Sequence, residues 1–154
     1  MKNAYEKICK LFDNNNLSYE ILIHDKGASD NQLLNKFQLR LHQGVKSMVL
    51  KIGDHFSLIV LAGDCRLDMK KVKKYFNENH IRLATNEEIT PLMGCGIGSC
   101  YPIGNIIDMQ TYTDNSLSNN KTIFFNPGVP DKWIKMAWED YIKITRPQMI
   151  AVSE

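Results

Sequence analysis

The chain has 154 residues, of which 44% are hydrophobic and 23% charged, with a formal net charge of +2. Those values exclude a disordered, fibrous or collagen-like chain, and a length close to the common domain size of about 100–150 residues predicts one domain, residues 1–154, around one core. A charge this near neutrality also excludes the broad basic field that drives non-specific nucleic-acid binding, so any such contact has to come from a local patch.

The stretch from Met1 to Lys7 is polar and leads into an amphipathic pattern, with no apolar segment of the secretory kind, and no apolar run reaches the roughly 18 residues of a membrane span. The expectation is a cytoplasmic protein without a membrane partner. Cys9, Cys65, Cys95 and Cys100 are too few and too scattered for a disulfide framework and read as reduced thiols. Cys95 and Cys100 lack the C-x2-C spacing, and His24, His42, His55 and His80 form no pair at finger or helical spacing, so neither a metal nor another cofactor is expected. No histidine accompanies a G-x-S-x-G motif, which argues against a covalent triad. Cys95 and Cys100 suit either nucleophiles or, more commonly, small buried thiols.

Taken in chain order, Tyr5, Ile8, Leu11 and Phe12 share one helical face, and the Asn14-Asn15-Asn16 run ends that helix. Tyr19 to His24 reads as a strand broken by Asp25-Lys26-Gly27, and Ser29 as the cap of a helix through Leu33 and Leu34. Val45–Ile52 and Phe56–Ala62 are apolar runs separated by Gly53-Asp54-His55, which predicts a hairpin of adjacent central strands. Asp68 caps a helix whose Met69, Val72, Tyr75 and Phe76 fall on one face. Its Lys70, Lys71, Lys73 and Lys74 form a basic cluster, either a solvated face or a contact for phosphates.

Thr85-Asn86-Glu87-Glu88 has the form of a capping box and opens a short helix to about Thr90. Met93 to Gly104 holds four glycines and a proline, too many breakers for regular structure, and reads as a shaped loop. Thr122–Asn126 and Lys132–Met136 read as strands around a rigid Asn126-Pro127-Gly128-Val129-Pro130 turn. A closing helix carries Trp138, Tyr141 and Ile142 before Arg146-Pro147. Helices mixed with strands and at least one hairpin indicate an α/β or α+β domain on a mixed sheet.

Two features offer chemistry. Period-two alternation places Lys46 on the same strand face as Met48, Leu50 and Ile52, so it is either a snorkelling cation at the end of an apolar sheet or a substrate ligand. The Gly94-Cys95-Gly96-Ile97-Gly98-Ser99 loop can turn several backbone N–H groups toward one oxygen, as an oxyanion or phosphate site requires. It is neither a Walker loop nor a dinucleotide fingerprint. His24, at a strand end, suits a pocket wall or a packed position.

The segments Val45-Lys46-Ser47-Met48-Val49-Leu50-Lys51, Ala62-Gly63-Asp64-Cys65-Arg66-Leu67-Asp68 and Leu92 to Gly104 resemble, in order and spacing, the YbaK/EbsC family of aminoacyl-tRNA deacylases, the relatives of the prolyl-tRNA synthetase editing domain. The similarity continues through Tyr112–Leu117 and Phe124–Gly128. It implies a mixed, partly barrel-like sheet flanked by helices and a metal-independent hydrolase that removes small misattached amino acids such as alanine or cysteine, on proline tRNA. It further implies catalytic roles for Lys46, Gly98 and Ser99, and substrate binding by His24, Gly94, Gly96, Pro102, Asn126 and Gly128. The implied partners are the 3′ acceptor end of an aminoacyl-tRNA and, alongside it, an aminoacyl-tRNA synthetase. Pro127 stands where the family has a small residue and Ile103 where many relatives carry an aromatic. A non-catalytic module recognising aminoacyl-tRNA ends or a protein partner is the alternative.

Overall fold

The computed structural model describes residues 3–154; Met1 and Lys2, which open the stretch read for a leader, lie outside the described residues. Helix α1 (Ala4–Asn14) starts where Asn3 accepts the Glu6 N–H on its side-chain oxygen at 2.8 Å, the bond that satisfies an orphan donor of the first turn. It ends at the asparagine run, as expected, with the Asn15 N–H turned back to the Phe12 carbonyl. Ile8 and Phe12, one turn apart, are fully buried. Each contributes about 1.5–3 kcal/mol by leaving water.

Among the described residues eight strands form two sheets. The expected hairpin is present as β2 (Val45–Ile52) and β3 (His55–Ala62), antiparallel in register from Val45 opposite Ala62 to Ile52 opposite His55. Its turn is the two residues Gly53-Asp54, so the second strand begins one residue earlier than expected. Gly53 takes φ +59°, which a Cβ would disfavour. Strand β4 (Ile81–Leu83) adds to β2, while β5 (Thr111–Asp114) lies parallel on β3 and β8 (Gln148–Ile150) parallel on β5. The second sheet is antiparallel, with β7 (Lys132–Ala137) between β1 (Tyr19–Ile23) and β6 (Thr122–Phe125).

The sheets meet where Gly44, just ahead of β2, pairs in parallel with Phe124. A Cβ at Gly44 would stand 2.9 Å from the Phe124 ring, so only hydrogen fits there. The whole is a mixed, partly barrel-like arrangement that does not close.

Period-two alternation sorts neighbouring residues into separate layers. Val49, Leu58, Phe125 and Ile134 face a central core shared by both sheets, α1 and Tyr141. Their neighbours Leu50 and Ile59 pack outward against Val72 of helix α3 (Met69–Phe76). On the far side, Phe124 and Trp133 pack beneath Leu33 of helix α2 (Asp30–Lys36), whose Ser29–Gln32 capping box is complete. Helix α4 (Asn86–Met93) runs through Pro91 and past the expected end at Thr90, while helix α5 (Trp138–Thr145) closes the core with the fully buried Tyr141.

Candidate active site at the junction of the two sheets

Lys46 is the second residue of β2. On its strand face, Leu50 and Ile52 belong to the outer layer. The chain leaving β3 is held against the start of β2 by the Gly63 N–H, which donates to the Gly44 carbonyl at 2.7 Å. A Cβ at Gly63 would lie 2.8 Å from the Leu41 carbonyl. This close approach brings Cys65 to Lys46, whose Nζ donates to the Cys65 carbonyl at 2.6 Å. An ammonium has three donors, so others remain for an incoming anion.

The glycine loop begins at Gly94, which caps α4 in the left-handed region at φ +71° with its N–H on the Thr90 carbonyl. Two further N–H groups of the loop are committed: Ile97 to Asn86 Oδ1 at 3.3 Å and Ser99 to the Gly96 carbonyl at 3.0 Å. The Gly98 N–H donates to no protein acceptor among the described residues, and Gly98 is the loop residue that lines the cleft.

Three hydroxyls fix the loop's far end. Tyr101 Oη donates to the Met93 carbonyl at 2.8 Å, Ser47 Oγ to the Tyr101 carbonyl at 3.1 Å, and Tyr141 Oη to the Pro102 carbonyl at 2.8 Å. Burial pushes both phenols above their ordinary range, which keeps them protonated donors at neutral pH.

Asn126, at the end of β6, forms part of the opposite wall; its Oδ1 accepts the Gly128 N–H at 2.8 Å. Gly128, at φ +91°, packs behind the loop, where a Cβ would stand 3.2 Å from the Tyr101 ring. His24 sets its ring edge on Trp133 with centroids 5.4 Å apart and contacts the Asp25 carbonyl through Nδ1 at 3.0 Å. That contact assigns the proton to Nδ1 and leaves the buried Nε2 without a partner.

Lys46, Gly98 and Asn126 therefore line one cavity of about 280 Å³, together with an apolar wall of Leu34, Leu41, Phe124 and Trp133. His24, Gly94, Gly96, Ser99, Pro102 and Gly128 are not among the lining residues; His24 meets the cleft through Trp133, and the others shape or brace the two loops. Ile103 is fully buried in the central core, so its departure from an aromatic alters packing behind the cleft and not its lining. Sequence reasoning missed the apolar wall, because Phe124 and Trp133 sit on strands whose apolar residues read as core. It also missed Asn86, Tyr101 and Tyr141, whose partners lie 11, 8 and 39 residues away, outside any helical or strand period. Beside the cleft, His42, Asp64 and Cys65 present a nitrogen, an oxygen and a sulfur within 4.8 Å of one another.

The family model of aminoacyl-tRNA editing domains matches residues 24–144, a span that includes every residue lining the cleft. Among curated proteins, the proline–tRNA ligase of Macrococcus caseolyticus is 35% identical over 99 residues, 63% of this chain and 17% of the ligase. That of Bacillus cytotoxicus is 32% identical over 76 residues, 49% of this chain and 13% of the ligase. The chain thus spans less than a fifth of the length of these relatives.

A solved structure described as a candidate trans-editing enzyme for prolyl tRNA synthetase superposes with a TM-score of 0.85 at 20% identity, covering 100% of this chain and 99% of its own. A hypothetical protein gives a TM-score of 0.85 at 19% identity, covering 96% and 99%. Both likenesses speak to the fold. With the family match extending over most of the sequence and containing the whole cleft, this chain belongs to the aminoacyl-tRNA editing domain family.

Proposed function

We propose that the chain is a trans-acting aminoacyl-tRNA deacylase that hydrolyses the ester of mischarged tRNA carrying a small amino acid such as alanine or cysteine, on proline tRNA. In this reading residues 1–154 act as one free-standing cytoplasmic domain, with an aminoacyl-tRNA synthetase alongside it. The observation that carries it is the convergence of Lys46, Gly98 and Asn126, from three separate parts of the chain, on one cavity of about 280 Å³. That volume lies just below the range of ligand pockets, which starts at about 300 Å³, and is consistent with a small acyl group.

The chemistry asked of the site is modest, because an aminoacyl ester is already activated. The free Gly98 N–H polarises the ester carbonyl and then stabilises the oxyanion that forms. Lys46 holds the phosphate of the terminal nucleotide or the ester oxygen, and the Asn126 and Trp133 wall limits the acyl group. A water, oriented by the substrate's own ribose hydroxyl, adds to the carbonyl carbon. The bond to the ribose oxygen then breaks, that oxygen takes one of the water's protons, the other passes to solvent, and the amino acid leaves as its carboxylate. Holding these groups in place supplies the rest of the acceleration. Selection is by exclusion of larger amino acids, since one methylene in an apolar pocket is worth only about 1–3 kcal/mol.

The test is release of amino acid from a panel of mischarged tRNAs, led by proline tRNA bearing alanine or cysteine, without added metal. Lys46→Ala is expected to lower kcat/KM by about 10²–10³, the usual effect of removing one group that stabilises developing charge, with circular dichroism unchanged. Full activity in that variant refutes the role of Lys46. No release across the panel refutes the enzyme and points to a module that binds aminoacyl-tRNA ends without turnover.

A further inference from the structure

We propose that His42, Asp64 and Cys65 form a binding site for a thiophilic divalent cation of the zinc type at the rim of the cleft, outside the hydrolytic groups. His42 Nδ1 lies 2.7 Å from Asp64 Oδ1, and Cys65 Sγ lies 3.6 Å from the same oxygen. All three ligand atoms fall within 4.8 Å of one another. An imidazole nitrogen, a carboxylate oxygen and a thiol sulfur together make the mixed set that zinc and its neighbours favour. With the thiol proton released to solvent on binding, the three ligands carry two negative charges, which match a dication.

The geometry is close to what a tetrahedral ion needs. Metal–ligand distances of about 2.0–2.3 Å place neighbouring ligand atoms about 3.3–3.6 Å apart. The sulfur–oxygen spacing already has that value, the nitrogen–oxygen pair has to open by about 0.6 Å, and the nitrogen–sulfur pair, within 4.8 Å, has to close to about 3.5 Å. Both side chains of that pair can move: His42 is 36% and Asp64 44% exposed. Their backbones are tied at or next to each residue. The Gly63 N–H is bound to the Gly44 carbonyl at 2.7 Å, and the His42 carbonyl accepts Asn120 Nδ2 at 2.9 Å. Three protein ligands leave the fourth position to water, as in open zinc sites. The cluster is pre-assembled by the His42–Asp64 contact and by the Cys65 thiol, which donates to the same carboxylate oxygen, so three ligand types already converge on one point.

The site adjoins Lys46, whose ammonium rests on the carbonyl of Cys65. Its effect on the cleft rests on the deacylase reading; its existence does not, and it is read without tRNA. The reduced, untagged protein is titrated with Co²⁺ alone, followed by its absorption spectrum and then by displacement with Zn²⁺. The expected result is one equivalent of Co²⁺ with a thiolate-to-cobalt charge-transfer band and the visible absorption of tetrahedral cobalt. The band is lost in Cys65→Ser, and affinity falls at least about tenfold in His42→Gln, a floor set by what weaker outer-shell changes cost. Circular dichroism checks that both variants fold. Absence of the band in the wild type overturns the proposal, as does a band that survives Cys65→Ser and so belongs to another thiol.

Discussion

Tyr141 is the residue on which the loop's placement is most exposed to test. It is fully buried, and its hydroxyl is the donor to the buried carbonyl of Pro102. Phenylalanine at this position keeps the ring's packing and removes the donor, leaving an acceptor without water or partner, which costs about 1–3 kcal/mol. The urea midpoint of Tyr141→Phe is therefore expected to fall with its m-value unchanged, and kcat/KM to fall with it as Gly98 loses its fixed position. An unchanged midpoint would deny the bond its role. Lys46 drew notice in the sequence because a charge on an apolar strand face breaks a local pattern, and Gly98 because glycines concentrate where backbone has to bend, but pattern left both open and the resemblance alone pointed them to one cleft, which both line. Tyr141 was not legible as an anchor: its acceptor lies 39 residues away, and nothing local distinguishes a tyrosine that anchors a loop from one that fills a core.

Among the elements, those with a clear apolar run or a cap could be read ahead of the structure and the shortest could not. The hairpin β2–β3 carries eight residues a side, and α3 and α4 bring their own caps in Asp68 and in the Thr85–Glu88 box. By contrast, β4 and β8 are three residues each, too short for a period, and exist because β2 and β5 offer unpaired edges. Helix α4 outlasted its expected end because Pro91 forfeits only one backbone bond near a terminus that Gly94 then closes. The carboxylate of Asp114, at the end of β5, ties the last strand down. Its Oδ1 accepts the Val152 and Ser153 N–H groups at 2.7 and 3.1 Å, and its Oδ2 accepts that of Ser116 at 3.0 Å. Burial opposes ionisation of Asp114, yet these bonds, with that of the Ser116 hydroxyl, outweigh it and hold its pKa below the ordinary 3.8. A lowered folded-state pKa contributes stability that is present above the unfolded value and is lost as pH falls through the folded one. Asp114→Asn is thus expected to cost at least about 1.5 kcal/mol at pH 7, the lower range for bonds to a charged group. The variant should also show a shallower loss of stability than the wild type below pH 3.8. Equal acid slopes in the two proteins would count against this account.

For the molecule as a whole, the cleft has no single owner. Lys46 and Gly63 come from the larger sheet and its exit, Phe124, Asn126 and Trp133 from the smaller sheet and its turn, and Gly98 from the loop between α4 and β5. Either sheet alone therefore holds half a site, and the mixed fold was legible in the sequence while this division was not, since it depends on a parallel bridge between Gly44 and Phe124, which are far apart in the chain. The same division has a kinetic side. Strand pairing within the β2–β3 hairpin closes a short stretch of chain, whereas seating Phe124 on Gly44 closes one of 80 residues, and contacts of high sequence separation form late. Trp133 stands at that seam, and Trp138 is the chain's second tryptophan. In a Trp138→Phe protein the remaining indole should report the docking of the sheets by its fluorescence, with its native signal returning in the slowest refolding phase while far-ultraviolet dichroism recovers earlier. The cleft would then be the last part of the molecule to come into being, and no partly folded species would carry it.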